Sequence, residues 1–222
     1  MQKAATTHTT IKIAPPQLPP SLEDMHTSQL LAEAAFEACK LTGVDFSNAI
    51  APSVSFDEVV AERTVFSGAK LAHFNARDSV FKQCDFSAAQ CSESAWQRVS
   101  MTGGRMTGWD MSNGVCKDVV FENCKLDLVN FRVSKITNVR FVDCVLTNAD
   151  FMGATLQAVS FEHCTLERAV FTKAHLSKVD FRTSDLAGIS GWQDLKGAVI
   201  DSVQLLAVAP YLAQEIGIRV VD

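Results

Sequence analysis

The chain has 222 residues, 47% of them hydrophobic, with 25 acidic and 20 basic side chains and a net charge of −5. That composition fits one folded, soluble unit, and it gives no ground for direct nucleic-acid binding or for a membrane span. The expected compartment is cytoplasmic and reducing, because seven cysteines occur without any C-x-x-C pair.

Residues 1–20, "MQKAATTHTTIKIAPPQLPP", hold four prolines and no long apolar run. They read as a disordered N-terminal tail rather than a signal peptide. Residues 21–35, "SLEDMHTSQLLAEAA", are expected to form a helical turn or an irregular cap over the start of the folded region, since an open sheet edge needs cover.

From residue 36 to about 200 one pattern recurs. "VVFENCKL", "VRFVDCVL" and "VSFEHCTL" begin at Val119, Val139 and Val159, and between them the motif repeats every ten and then every five residues. Phe121, Leu126, Phe131, Ile136, Phe141, Leu146, Phe151, Leu156 and Phe161 mark the centres of successive units. The position two before each centre is small or branched, as at Val119, Val129, Val139 and Ala149. These two positions give 62 sites between 34 and 186, and none is charged, although residues 36–190 contain 34 charged side chains. Chance would do this on the order of once in a million.

A period of five matches neither a helix nor a simple strand. Two inward side chains around one outward residue make a short extended piece. The next pair, such as Thr42-Gly43, Ser47-Asn48 or Thr147-Asn148, has the residue types that turn a corner. Four corners close a square, so a coil takes twenty residues, and stacked coils rise ~4.8 Å each.

Candidates for chemistry are few. Cys39, Cys84, Cys124, Cys144 and Cys164 fall on the small inward position, and Cys91 and Cys116 are centres, so they read as packed thiols. "GGRMTG" at 103–108 lacks the Lys-Ser/Thr ending of a phosphate loop. His73, His163 and His175 read as surface residues. No catalytic residue, metal site or cofactor is expected, and the chain does not read as an enzyme.

Between 91 and 116 the centres are Cys91, Trp96, Met101, Met106, Met111 and Cys116, with no Phe, while Trp109 takes a small-residue place between Gly104 and Gly114. Methionine fills irregular gaps, so compensation is the better reading. The alternative is a distorted coil that offers Trp109 to a partner.

The phase slips by one residue near Gly191-Trp192, and Leu195 and Ile200 resume it. Residues 201–222 then form a cap. Asp201 or Ser202 is placed to start a helix, and Leu205, Leu206, Ala209, Leu212, Ala213 and Ile216 recur at helical spacing. Pro210 should kink it or begin a second short helix, and Gly217 should end it. "IRVV" reads as a short strand with Ile218 and Val220 on one face. The cap has more apolar surface than one side needs, which argues for a homodimer over a monomer with a self-folded cap.

The runs "CDFSAA", "ADFMGATL", "AVFTKAHL" and "VDFRTSDL" resemble the A(D/N)LXX motif of the pentapeptide-repeat family. The resemblance implies an all-β, right-handed quadrilateral β-helix over 36–200, with a C-terminal helical cap and short strand used for dimerisation through Leu205, Leu206, Leu212, Ile216, Ile218 and Val220. Within the family the chain is similar to quinolone-resistance proteins that bind DNA gyrase as DNA mimics. That implies an interaction protein whose partner is DNA gyrase or topoisomerase IV, with a general scaffold as the alternative.

Charge arithmetic tests the mimic. Thirty-one repeats span roughly 37 Å, a length of duplex with about 22 phosphates. Residues 36–190 carry 18 acids and 16 bases. One side collects Asp45, Asp85, Asp127, Glu167 and Asp185 against Arg105, Lys125 and Arg168, and these five acids are the candidate partner-binding residues.

Overall fold

The computed structural model describes residues 11–27 and 29–221. The first ten residues of the expected tail lie outside them. From Phe36 the chain winds into a four-sided β-solenoid of about eight coils, each coil sitting on the last through a parallel ladder. Val99, Val119, Val139, Val159 and Val179 pair in that order, so the register is twenty residues through these coils.

The four sides differ. The first side has its centres at Phe36, Phe56, Ala76, Trp96 and on to Leu176, and the second at Leu41, Ala61, Phe81, Met101 and on to Phe181. Together they carry the long strands: Asn75–Lys82, Ala95–Thr102, Val115–Glu122, Lys135–Val142 and Thr155–Glu162 each bend across their shared edge. The third side, centred from Phe46 to Leu186, and the fourth, from Ala51 to Phe171, pair only through single bridges such as Asp85↔Arg105 and Asp110↔Asn130.

Every corner uses the same device. The second residue after each centre, at five-residue intervals from Glu33 to Gly188, has φ near +60°. Only six of these thirty-two corners are glycine. Left-handed backbone costs an L-residue roughly 1–2 kcal/mol, so the packed interior and the ladder impose it on the other twenty-six.

Both regular inward positions are buried as the spacing predicts. Phe121, Phe141, Phe161 and Phe181 form one column, with neighbouring rings 4.9–5.0 Å apart and within 7° of parallel. Leu126, Leu146, Leu166 and Leu186 are buried beside it. The ladder and these columns bury the apolar surface that stabilises a solenoid, each coil depending on its neighbours.

The ends depart from simple expectation. Glu23–Asp24 pairs with Cys39 and Lys40 as an edge strand below the first coil, and Leu30 plugs the open core. Among the described residues the cap is irregular and contains no helix. Residues 11–20, expected to belong to a disordered tail, lie against the solenoid: the Gln17 amide donates to Asp78 at 2.9 Å and the Ala14 amide to Asp118 at 3.4 Å.

At the C-terminus one coil is a residue short, pairing Asp180 with Val199, and a 3-10 turn over Trp192–Asp194 absorbs the slip. A helix then runs over Ser202–Glu215, unbroken at Pro210. Asp201 caps it, accepting from the Gln204 amide while the Gln204 side chain accepts from the Asp201 amide. Gly217, at φ 77°, closes the other end: its amide reaches Gln214 and that of Ile218 reaches Ala213, a Schellman pattern. The expected strand over 218–221 does not form. A strand needs a partner for its amides and carbonyls, and this segment joins no ladder among the described residues.

Candidate functional site

Seven cysteines are the obvious chemical suspects, and all seven are free and buried. Burial pushes the Cys84 thiol up to about 11 and those of Cys91 and Cys116 up to about 12. Cys144 is raised by the flanking thiols of Cys124 and Cys164 as well as by burial. Such thiols are poor nucleophiles.

Their column has a structural task that the sequence did not suggest. Thr64, Cys84, Cys124, Cys144, Cys164 and Ser184 stack on the edge between the second and third sides. Each donates to the carbonyl 23 residues earlier: Leu41, Ala61, Met101, Phe121, Phe141 and Phe161. The chain turns there, and each side chain adds a hydrogen bond across the corner to a carbonyl of the coil below. Gln204 of the C-terminal helix continues the series, its Nε2 donating to Phe181 at 2.6 Å and to Ser184 at 2.7 Å. Gln204 thereby keys the helix onto the last coil.

Trp109 is fully buried. Its ring lies 4.9 Å from that of Trp96 and also contacts Phe86, Phe121 and Phe131. Gly104 and Gly114 have no space for a side chain, but what would meet one is a methionine or the backbone, not the indole. A Cβ on Gly104 would meet the Met101 sulfur at 2.7 Å, and one on Gly114 would meet two backbone carbonyls at 2.9 Å. Among the described residues the indole N–H of Trp96 meets no hydrogen-bond acceptor. Trp109 offers nothing to a partner.

Interaction therefore falls to the outer sides. Asp45, Asp85, Asp127, Glu167 and Asp185 do share the third side, where Asp45, Val65, Asp85, Arg105 and Lys125 follow one another up the ladder. Three of the five also hold the corner: the Oδ1 atoms of Asp45, Asp85 and Asp185 accept from the amides of Ser47, Ser87 and Ala187 at 2.8–2.9 Å. Hydrogen bonds from the Ser47 hydroxyl and amide lower the Asp45 pKa. The same turn recurs at Asp110 and Asp150, which explains why Asp and Asn favour the place before a centre. Asp127 accepts from Thr107, and Glu167 pairs with Arg168. The acids are gathered on one side, but Arg105 and Lys125 interrupt them.

A second polar cluster, which sequence reasoning missed, lies on the edge between the first and second sides. Arg98 donates to Asp78 at 2.6 Å through Nε, and Arg77 pairs with Asp57. Arg98 holds the Asp78 carboxyl below its ordinary pKa against the opposing effect of burial. Asn138 donates to Asp118 at 3.3 Å. The twenty-residue phase alone could have aligned Asp78, Arg98, Asp118 and Asn138 in one column.

The expected dimer residues lie on the C-terminal cap. Leu205, Leu206, Ile216, Ile218 and Val220 are exposed, Leu206 at 78%. Leu212 instead packs against the core of the last coil.

This parallel solenoid packs eight residue columns inside, two for each of its four sides, and carries its charged side chains outside. Residues 115–190 match the model of the pentapeptide repeat region, and residues 30–68 and 64–103 match that of pentapeptide repeats (8 copies). The chain belongs to the pentapeptide-repeat family. Among solved structures it is similar to trypsin-treated QnrB1, a plasmid-mediated fluoroquinolone resistance protein, at 19% identity and a TM-score of 0.50, over 90% of this chain and 98% of that one. It is also similar to HetL, a pentapeptide repeat protein involved in heterocyst differentiation regulation from the cyanobacterium Nostoc sp. strain PCC 7120. There the identity is 14% and the TM-score 0.40, over 79% of this chain and 92% of that one. At 19% identity the likeness to QnrB1 establishes the fold alone. No curated protein matches the chain.

Proposed function

We propose that the chain is a non-enzymatic interaction protein whose partner is a DNA-handling topoisomerase, DNA gyrase or topoisomerase IV, engaged through the third side. The observation that carries this reading is the fixed orientation of Asp45, Asp85 and Asp185. Each is held through Oδ1 by its own corner, and Oδ2 has no partner among the described residues. Charges preset on a rigid prism bind without losing side-chain freedom, and a field of one sign steers a basic groove toward them. The resemblance to QnrB1 in fold agrees with this direction.

The test is gyrase supercoiling in the presence of a fluoroquinolone. The chain should alter inhibition, and changing Asp45, Asp85 and Asp185 together to Asn should abolish the effect. Asn keeps the acceptor that each corner needs, so loss of activity would not reflect unfolding. Unchanged activity of the triple variant refutes the mimic, and no binding to either enzyme leaves a general scaffold. The breaks at Arg105 and Lys125 favour that second reading.

The same proposal includes a homodimer joined through the C-terminal caps. Its support is the exposure of five large apolar side chains on one cap, Leu205, Leu206, Ile216, Ile218 and Val220. Light scattering of the full chain at micromolar concentration should give twice the chain mass, and Leu206→Glu with Ile216→Glu should give monomers.

A further inference from the structure

Residues 11–20, "IKIAPPQLPP", run along the solenoid axis on the edge between the first and second sides. Two backbone donors hold them, Gln17 on Asp78 and Ala14 on Asp118. The ladder places Asp78 and Asp118 two coils apart, with Arg98 between them. Two coils rise ~9.6 Å. Three residues of polyproline II helix, one full turn, rise ~9.3 Å. Ala14 and Gln17 are three residues apart, so the strap and the solenoid share a pitch.

Side-chain burial repeats at the same interval. Ile13, Pro16 and Pro19 are half-buried, while Lys12, Pro15 and Leu18 are exposed. Prolines at 15, 16, 19 and 20 preset the extended conformation and remove amides that would face solvent. The two amides that flank the Pro15-Pro16 pair are the ones the carboxylates accept. On the receiving side Asp78 is 5% exposed and Asp118 9%, so both are built into the edge rather than standing free.

We infer that this edge is a recognition surface for polyproline II segments of the form X-Pro-Pro-X, reading the two flanking amides with carboxylates on alternate coils, and that residues 11–20 occupy it in cis. The partner is a proline-rich segment of another protein, which must displace the strap. The strap thus sets a threshold for binding, since a tethered competitor acts at a high effective concentration. This surface is separate from the acidic third side, and the inference stands whether or not a topoisomerase binds.

The experiment uses the full chain and a fluorescent peptide of residues 11–20 read by anisotropy. Ala14→Pro with Gln17→Pro removes both strap donors while keeping its backbone conformation. A fluorophore on Lys12→Cys, selective because the native thiols are buried, should become mobile in that variant. The peptide should bind the released variant at least tenfold more tightly than the native chain. A peptide with proline at both donor positions should bind at least tenfold more weakly than the parent peptide, and Asp118→Ala in the released variant should lower affinity at least threefold. Equal binding to native and released chains, equal binding of the two peptides, no binding to the released variant, or a label that stays immobile would each overturn the inference.

Discussion

The coils before and after the tryptophan pair solve one packing problem in opposite ways. In the coils centred from 36 to 71, Phe occupies the first and third sides, at Phe36, Phe46, Phe56 and Phe66. In those from 116 to 171 it occupies the second and fourth, at Phe121, Phe131, Phe141, Phe151, Phe161 and Phe171. Four inward side chains meet at the middle of each coil, and the cross-section holds two rings on one diagonal with smaller residues on the other. The later coils repeat this without change, so their rings stack: Phe141 and Phe161 lie 3° from parallel, and Phe151 and Phe171 4°. The earlier coils are tilted, with 65° between Phe36 and Phe56 and 41° between Phe46 and Phe66.

The diagonals must change over, and residues 91–116 are where they do so. Trp96, on the first side, stacks on Phe81 below at 5.2 Å and on Phe121 above at 6.2 Å, both on the second side, so it bridges the gap that Met101 leaves in that aromatic column. Met101, Met106 and Met111 fill what the two indoles leave. The departure from the Phe pattern is an adaptor between two packings. A regular stack gains from uniformity, whereas an adaptor needs side chains that tolerate a poor fit.

This contrast can be broken by mutation. Phe141→Ala, in the uniform stack, should cost ~3–5 kcal/mol, whereas Met106→Leu in the adaptor should cost less than ~1.5 kcal/mol. Urea unfolding measures both, and equal costs would dissolve the distinction. Gln204→Leu tests where the regular stack ends. Losing both bonds strips the Ser184 carbonyl of its side-chain donor, while that of Phe181 keeps the Ser184 amide; this should cost ~1–3 kcal/mol, and amide exchange should rise in the C-terminal helix before it rises in the Phe column.

The Asp78–Arg98 pair ties the adaptor to the coil below it, and pH should single it out. The folded carboxyl is lowered by Arg98, so its stabilisation is present above the ordinary aspartate value of ~3.9 and is lost as pH falls through the lower folded value. Asp78→Asn should lower the melting temperature by about 2–4 °C at pH 7, and the difference from the parent should shrink toward pH 2. A difference that is constant with pH would mean the carboxylate charge plays no part. The smallest effect belongs to the uniform half. Val133, β-branched and 60% exposed, sits at φ 58°, so Val133→Asn should stabilise the chain by ~1 kcal/mol. A loss of stability would show that its side chain does more on the surface than the backbone strain costs.

Most of the architecture was legible because one rule is repeated at every coil. The absence of charge at two places in five determined the inward columns, the twenty-residue register and the burial of all seven cysteines. Asp201 and Gly217 marked the helix ends through local chemistry that needs no distant partner. The gathering of Asp45, Asp85, Asp127, Glu167 and Asp185 on one side also came from phase alone. That three of these acids hold corners needed backbone geometry, because a carboxylate two residues from an amide bonds it only in a particular turn.

What the sequence by itself determined is therefore whatever depends on a residue's place in the five and the twenty. Tertiary structure alone decided which groups meet across those periods. Gln204 reaches Phe181 and Ser184 because the helix folds back over the last coil, and no spacing within the helix announces that. The stretch at 218–221 has strand composition, but composition supplies no ladder partner. Residues 11–20 look like a disordered tail because they lack an apolar core of their own. Their hold comes from Asp78 and Asp118, 61 and 104 residues away, brought into line by stacking.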